Sequence, residues 1–381
     1  MTTFTRSTCF VSACLALMLL GPKSSLAQFN GANGAHPYAG VVEHSTGNLW
    51  GTASGGGAHN DGVIWEIPYG TITFNVYASF DGANGSGPIG GVTQDSSGNL
   101  WGTTLYGGAD NGGVVWEIPS GTSTIKAFAS FDGANGWLPA AGVMIDSNGN
   151  LWGTTETGGA GGYGVVWEVP KGSTAMKVVV SFDGANGAYP VAGVTEDSNG
   201  NLWGTTTQGG ASDDGVVWEI PKGSSTLKVV AGFNGSNGDN PAAGVMEDSN
   251  GNFWGTAANG GAGGYGVVWE IAKGSTTLKV VASFNGANGI SPYAGVTEDS
   301  HGNLWGTTFD GGSNGLGVVW EIPNGSTTLS AVGGFYNSTG AHPYAGVMVD
   351  SDGDLWGTTE YGGLGYNGPF TGDGGVWIIK P

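Results

Sequence analysis

Beyond Ala27 the chain has no cysteine and no arginine, because Cys9, Cys14 and Arg6 all fall before that point. The remainder therefore has no disulfide, no thiolate nucleophile and no cysteine metal site. It also lacks the bidentate guanidinium clamp that suits phosphate or carboxylate. Cations of any kind are scarce. The 10 basic residues less Arg6 and Lys23 leave 8 lysines against 30 acids, a formal charge of 8 − 30 = −22. Nucleic acids and anionic membranes need clustered cations and are not expected as partners. No stretch shows the apolar period of a helix. There is no phosphate loop, nucleophile elbow or metal-ligand spacing.

The segment from Met1 to Ala27 reads as a secretory signal peptide. Arg6 precedes an apolar run over 9–20, and Ser25 and Ala27 stand at minus three and minus one of a cut after Ala27. The run is too short to span a bilayer, so no membrane insertion of the mature chain is expected. Val11-Ser12-Ala13-Cys14 looks like a lipobox, but little apolar sequence precedes it and the run continues past it. The expectation is a leader over 1–27 and one domain over 28–381, acidic, monomeric, and secreted to the exterior or the periplasm.

Glycine is abundant, at 78 of 381 residues, and only 10% of residues are charged. Disordered chains lack aromatics, whereas this one has 15 tryptophans, nearly all at a fixed step. Trp50, Trp101, Trp152, Trp203, Trp254, Trp305 and Trp356 lie 51 residues apart, as do Phe29, Phe80 and their successors to Phe335. A second series, Trp65 to Trp320, keeps the step, and its last member, Trp377, comes 6 residues late. The final copy thus carries an insertion around residues 366–373.

Each unit holds four short apolar runs bounded by glycine, asparagine and serine, which are strand and turn signals. Pairing Glu117 with Lys126 would oppose Trp116 to Ala127, Ile118 to Ile125 and Val115 to Phe128. The same alignment sets Lys177, Lys228 and Lys279 opposite Glu168, Glu219 and Glu270, a structural pairing rather than a catalytic one. Four-stranded units apolar on both faces need a neighbour on each side, which a radial stack supplies. The expected fold is all-β: a seven-bladed β-propeller of seven antiparallel repeats. With a cut after Ala27 no N-terminal strand is left, so the last blade is expected to have three strands.

The phrase "GNLWGTT..GGA..GGVVWEIP.GSTTLKVVASF.GANG..P.AGV..DS" resembles the GloVer tandem repeat of secreted choice-of-anchor bacterial proteins, over essentially the whole mature chain. That family often has tyrosine where this chain has Trp152 and phenylalanine where it has Trp167. "DSDGDLWGT", from Asp350, is similar to the blade motif of two-component-regulator propellers. The resemblance implies an extracellular propeller and no known reaction.

The recurring "DSNGN" supplies the residues of a tight turn. Oxygen groups are densest in its last copy, at Asp350, Asp352 and Asp354, the one place that suggests Ca2+. The regular tryptophans are expected to pack between blades. Trp137 is out of series, in a loop, and is a candidate for an exposed contact. His36 and His342 each lie in "AHPYAG" and become neighbours if the ring closes, but the sequence shows no carboxylate partner for either.

The copies differ most directly after Gly-Thr-Thr, at Tyr106, Glu156, Gln208, Asn259, Phe309, Asp310, Glu360 and Tyr361. These positions end equivalent strands and should line one rim, overhung by Tyr366, Phe370 and Asp373. Function on such scaffolds sits in the loops. Aromatics mixed with carboxylates and amides suit a polysaccharide or a cell-surface protein. A binding scaffold is the favoured reading. A carbohydrate hydrolase or lyase using rim carboxylates such as Glu156, Asp310 and Glu360, or the histidines, stays open, as does a purely structural surface protein.

Overall fold

The computed structural model describes residues 24–71, 73–363, 365, 367–368 and 370–380. Most of the expected leader, and Tyr366, lie outside these residues.

Seven sheets of four antiparallel strands follow one another around the chain, and no described residue is helical. In blade 2 the strands are Thr93–Gln94, Leu100–Thr104, Val114–Ile118 and Lys126–Ser130. The inner strands are only two residues long. They follow Ala-Gly-Val segments whose glycines face the alanines of the neighbouring blade, as Gly193 faces Ala141. The chain forms a seven-bladed β-propeller.

Two repeated contacts explain why versions of "DSNGNLWGT" recur, with His44 replacing the aspartate in the first unit. The Asp197 carboxylate accepts the backbone N–H groups of Asn199 and Asn201 at 2.9 and 2.8 Å, closing the turn. Its other oxygen accepts the Asn201 amide and the Trp203 indole N–H, both at 2.9 Å. Asp95, Asp146, Asp248 and Asp299 do the same, so the aspartate fixes both the turn and the ring that packs into the next blade. Trp101 of blade 2, for example, lies against Val143, Leu151 and Trp167 of blade 3. The second contact comes from the fully buried threonine of Gly-Thr. Thr154 donates to the Ala192 carbonyl of the next blade at 2.7 Å. The series continues to Thr358, which donates to Ala39 of blade 1 at 2.9 Å and closes the ring.

The glycine of "WGT" answers to the second tryptophan series. A Cβ at Gly204 would stand 2.3 Å from the Trp218 ring, which lies flat across the strand. Trp218 and its six equivalents are fully buried. Each supplies roughly 2–3 kcal/mol of burial.

Two expectations change. The last blade has four strands, because Ser24–Gln28 pairs with Gly375–Ile379 and satisfies the backbone groups of that edge. All of that strand except Gln28 belongs to the segment read as leader. In the outer hairpin, Glu117 does face Lys126 and Trp116 faces Ala127, but a β-bulge follows. Val115 therefore pairs with Ala129, and Phe128 turns its ring to Trp101 at 4.8 Å. The lysines expected opposite Glu168, Glu219 and Glu270 are there, at 3.8, 4.0 and 3.5 Å.

Candidate functional site

The second strand of each blade carries the chain from the "DSNGN" turns at one face to the divergent residues at the other, here the loop face. There each copy has a residue in left-handed conformation, such as Leu138, His36 and His342 (φ 59°, 55° and 55°). Its carbonyl accepts the N–H of the first divergent residue: Leu138 from Glu156 at 2.9 Å, His342 from Glu360 at 3.2 Å. One backbone frame thus presents seven different pairs of side chains.

Those side chains converge where blades 6, 7 and 1 meet. Tyr293 stacks on Tyr344 with ring centres 5.1 Å apart and planes 11° apart, and Tyr38 meets Tyr344 edge-on at 5.4 Å. Phe309 contacts Tyr293 at 5.7 Å and His342 at 4.7 Å. Phe370, from the insertion, stacks on His342 at 4.8 Å and meets Tyr361 at 5.6 Å, while Tyr361 lies 5.3 Å from His36. Eight rings from three repeats form one continuous seam. Phe370 is 57% exposed and caps it.

A buried acid is built into the seam. Glu360 is only 3% exposed, and the hydroxyls of Tyr38 and Tyr361 face its carboxylate. Burial, and after it Glu360, push Tyr38 far above the usual phenol range and Tyr361 up to about 12. Tyr344 is also pushed up to about 12, by burial first, then by Tyr293, Glu360 and Glu156. Burial alone raises Glu156 itself. The phenols stay protonated at neutral pH and serve as donors beside carboxylate acceptors.

His342, 4% exposed, corrects the expectation that neither histidine has a fixed carboxylate partner. Its Nδ1 lies 3.0 Å from Asp310 Oδ1 and 3.1 Å from the Phe309 carbonyl. Both are acceptors, which assigns the proton to Nδ1. His36 Nδ1 likewise meets the Glu360 carbonyl at 3.3 Å.

Among the described residues, no side-chain hydrogen bond, ion pair or ring contact joins the remaining candidates to the seam. Tyr106 is 46% exposed and pairs through its backbone with Ser86. Gln208 and Asn259 hold the equivalent places on blades 4 and 5. Trp137, half-buried, lies over Gly133 of its own loop and Gly112 of the preceding one. Asp373 contributes a backbone carbonyl, which accepts the His36 N–H at 3.0 Å. At the opposite face, Asp350 accepts the backbone N–H groups of Asp352 and Asp354 and the Trp356 indole, and Asp354 is paired with Lys380. No group of three His, Cys, Asp or Glu side chains that could hold a metal ion is found among the described residues. Grooves of about 670 and 590 Å3 lie at that face, beside Trp101 and Trp152. They recur with the repeat and carry its shared residues.

Tyr38, Tyr293 and Tyr344 were not singled out from the sequence, because they stand inside the "PYAG" start of the inner strand. A signal was present: copies 2 to 5 have isoleucine, alanine, valine and alanine at that position.

The pattern of the Gloeobacter/Verrucomicrobia repeat matches residues 62–247 and 196–372. The chain belongs to that repeat family. Among curated proteins nothing matches its sequence. Solved structures share the propeller at low identity. The extracellular domain of a putative one-component system from B. thetaiotaomicron is 12% identical at a TM-score of 0.59, with 92% of this chain and 39% of that one covered. PorZ, a surface component of the type-IX secretion system of Porphyromonas gingivalis, is 16% identical at 0.55, with 92% and 47% covered. An oligogalacturonate lyase from Vibrio parahaemolyticus is 9% identical at 0.58, with 91% and 89% covered. The chain thus spans less than half the length of the first two. These relatives carry different functions, and the likeness is one of fold.

Proposed function

We propose that this protein is an extracytoplasmic binding propeller that holds a carbohydrate against the aromatic seam of its loop face. The observation that carries this reading is the convergence of eight rings and the buried Glu360 at one seam; elsewhere on that face the ring contacts among the described residues stop at a pair, Tyr163 with Tyr189. Flat rings with hydroxyl donors and carboxylate acceptors are the chemistry that grips a sugar ring by its face and its hydroxyls. A signal-peptide-like leader and structural neighbours at the cell exterior support the location.

Retention of the purified protein on a panel of insoluble polysaccharides and cell-wall fractions tests it. Selective retention lost in Tyr361→Ala and unchanged in Tyr106→Ala is expected. Retention on no polymer, or equal loss in both variants, refutes it.

The Asp310–His342 contact favours a second reading, acid–base catalysis on a bound polysaccharide. His342→Gln would then lower product release by more than it lowers retention, measured on the same polymer.

A further inference from the structure

The serine of each "DSNGN"-type turn stands beside the inner strand of the next blade, and at four junctions it grips a glutamate there. Ser147 gives its backbone N–H and its hydroxyl to the two carboxylate oxygens of Glu196, at 2.7 and 2.8 Å. Ser198 holds Glu247, Ser249 holds Glu298 and Ser351 holds Glu43 in the same way. On blades 2, 3 and 7 the glutamate is replaced by Gln94, Ile145 and Val349. Two of the serines left without it, Ser45 and Ser300, have their hydroxyls 3.5 Å from the Nδ1 atoms of His44 and His301. Ser96, whose glutamate is replaced by Ile145, has no hydrogen-bond partner for either donor among the described residues. Ile145 itself packs against the cluster that holds Trp101 and offers no acceptor.

A groove of about 670 Å3 runs between blades 2 and 3 past Ser96. Where the glutamate is kept, the equivalent grooves measure about 590 Å3 beside Glu196 and about 280 Å3 beside Glu298. Trp101 and Phe128 give the blade 2–3 groove apolar surface, and Ser97, Asn148 and Lys171 give it donors. Asp95, Glu117 and Asp146 line it too. Their charge does not bar an anion. One junction further on, Asp146 and Glu168 hold the places of Asp95 and Glu117, and Lys222 that of Lys171, and there Glu196 sits on its serine among them.

We propose that the groove between blades 2 and 3 binds an acidic sugar, a uronate, whose carboxylate takes on Ser96 the place that glutamate takes on four other turn serines. The protein's own glutamates define the acceptor: one oxygen for the N–H and one for the hydroxyl, each bond strengthened by the charge. An aromatic surface with hydroxyl and amide groups around it suits the rest of the sugar. This is a second site, on the face opposite the aromatic seam, and it does not depend on the seam.

Titration calorimetry in the presence of a chelator, with mannuronate oligomers and β-mannan oligomers of equal length, tests the proposal. The two sugars differ in carrying a carboxylate or a hydroxymethyl group on each ring. The acidic set is expected to bind about tenfold or more tightly, since charge-assisted hydrogen bonds are worth at least that factor. Ile145→Glu supplies the missing carboxylate from the chain and should erase that preference; four other junctions show that the fold accepts glutamate there. Ser96→Ala, at an exposed position, should weaken acidic binding about threefold or more. Ser198→Ala, whose hydroxyl already serves Glu247, should not. Tyr361→Ala should leave the preference intact, which separates this site from the seam. Binding of neither sugar, equal binding of both, or a preference that survives Ile145→Glu overturns the proposal and leaves the seam reading untouched. A peptide C-terminal carboxylate bound more tightly than either sugar overturns the sugar assignment.

Discussion

If the ring is closed by side-chain contacts, the closing bond should cost as much to remove as its internal equivalents. Thr358→Val is the perturbation, since valine nearly matches threonine in volume and removes only the hydroxyl. Thr358 is fully buried and donates to the Ala39 carbonyl at 2.9 Å, across the junction of the last blade with the first. Losing the bond and leaving a buried carbonyl short of that partner costs about 2 kcal/mol. An unfolding entropy of about 2.1 cal/mol/K per residue over about 350 residues converts this to a Tm decrease of about 3 °C. Thr154→Val is the internal control, its hydroxyl being 2.7 Å from Ala192 in a junction that involves no chain terminus. Differential scanning calorimetry of the two variants should give equal shifts, and denaturant unfolding should show a lower midpoint at unchanged slope. A normal shift for Thr154→Val with less than about 0.5 °C for Thr358→Val would refute the closed ring.

Gly204→Ala should destabilise by about 1–3 kcal/mol, because its methyl would overlap the Trp218 ring at 2.3 Å; an unchanged Tm would mean that the ring moves freely. For Asp95, Asp146, Asp197, Asp248 and Asp299, burial raises the carboxyl pKa, but the indole and amide donors outweigh it and hold each below 3.8. A lowered folded pKa gives stability that is present above 3.8 and lost as pH falls through the folded values, so acid unfolding should steepen below about pH 4. Asp197→Asn should flatten that dependence in a calorimetric pH series. Finally, the chain 28–381 should melt below the chain 24–381, since it lacks most of the strand paired with Gly375–Ile379. Mass spectrometry of the exported protein would show which of the two the cell makes.

The repeat made the fold legible. A 51-residue step in tryptophan and phenylalanine, four apolar runs per unit and a charge pair in four of the units are sufficient for blade number, strand order and hairpin partners. What periodicity does not report is where a strand gains a residue. The bulge that sends Phe128 toward Trp101 is invisible to a pattern that assumes strict alternation. The fourth strand of blade 7 was hidden for another reason: the Ser25-Leu26-Ala27 stretch that suits a cleavage site also pairs as an edge strand. At the site, Glu360, Asp310, Phe309 and Tyr361 were readable as departures from the consensus. Tyr38, Tyr293 and Tyr344 were not, since the segment holding them reads as strand. The pairing of His342 with Asp310 depends on a left-handed turn meeting a loop of the preceding repeat, a separation no local motif spans.

The separation of shared shape from divergent chemistry has a measurable consequence. The second tryptophan series, the phenylalanine series and the threonine of Gly-Thr recur in all seven copies and are buried, whereas the seam is assembled from residues found in one to three copies. Stability and ligand retention should therefore respond to different substitutions. Phe182 is fully buried and packs against Trp218 at 6.1 Å, so Phe182→Ala should cost about 3–5 kcal/mol. Phe370 is 57% exposed and touches the fold through His342, Tyr361 and Phe309, so Phe370→Ala should change stability by less than about 0.5 kcal/mol. The same Phe370→Ala should weaken sugar retention, because it removes one wall of the seam while leaving the blades intact. Measuring Tm and retention on both variants places each residue on one axis or the other. A Phe370→Ala protein that melts as early as Phe182→Ala would show the inserted loop to be part of the scaffold. The seam would then be a packing feature of the ring junction.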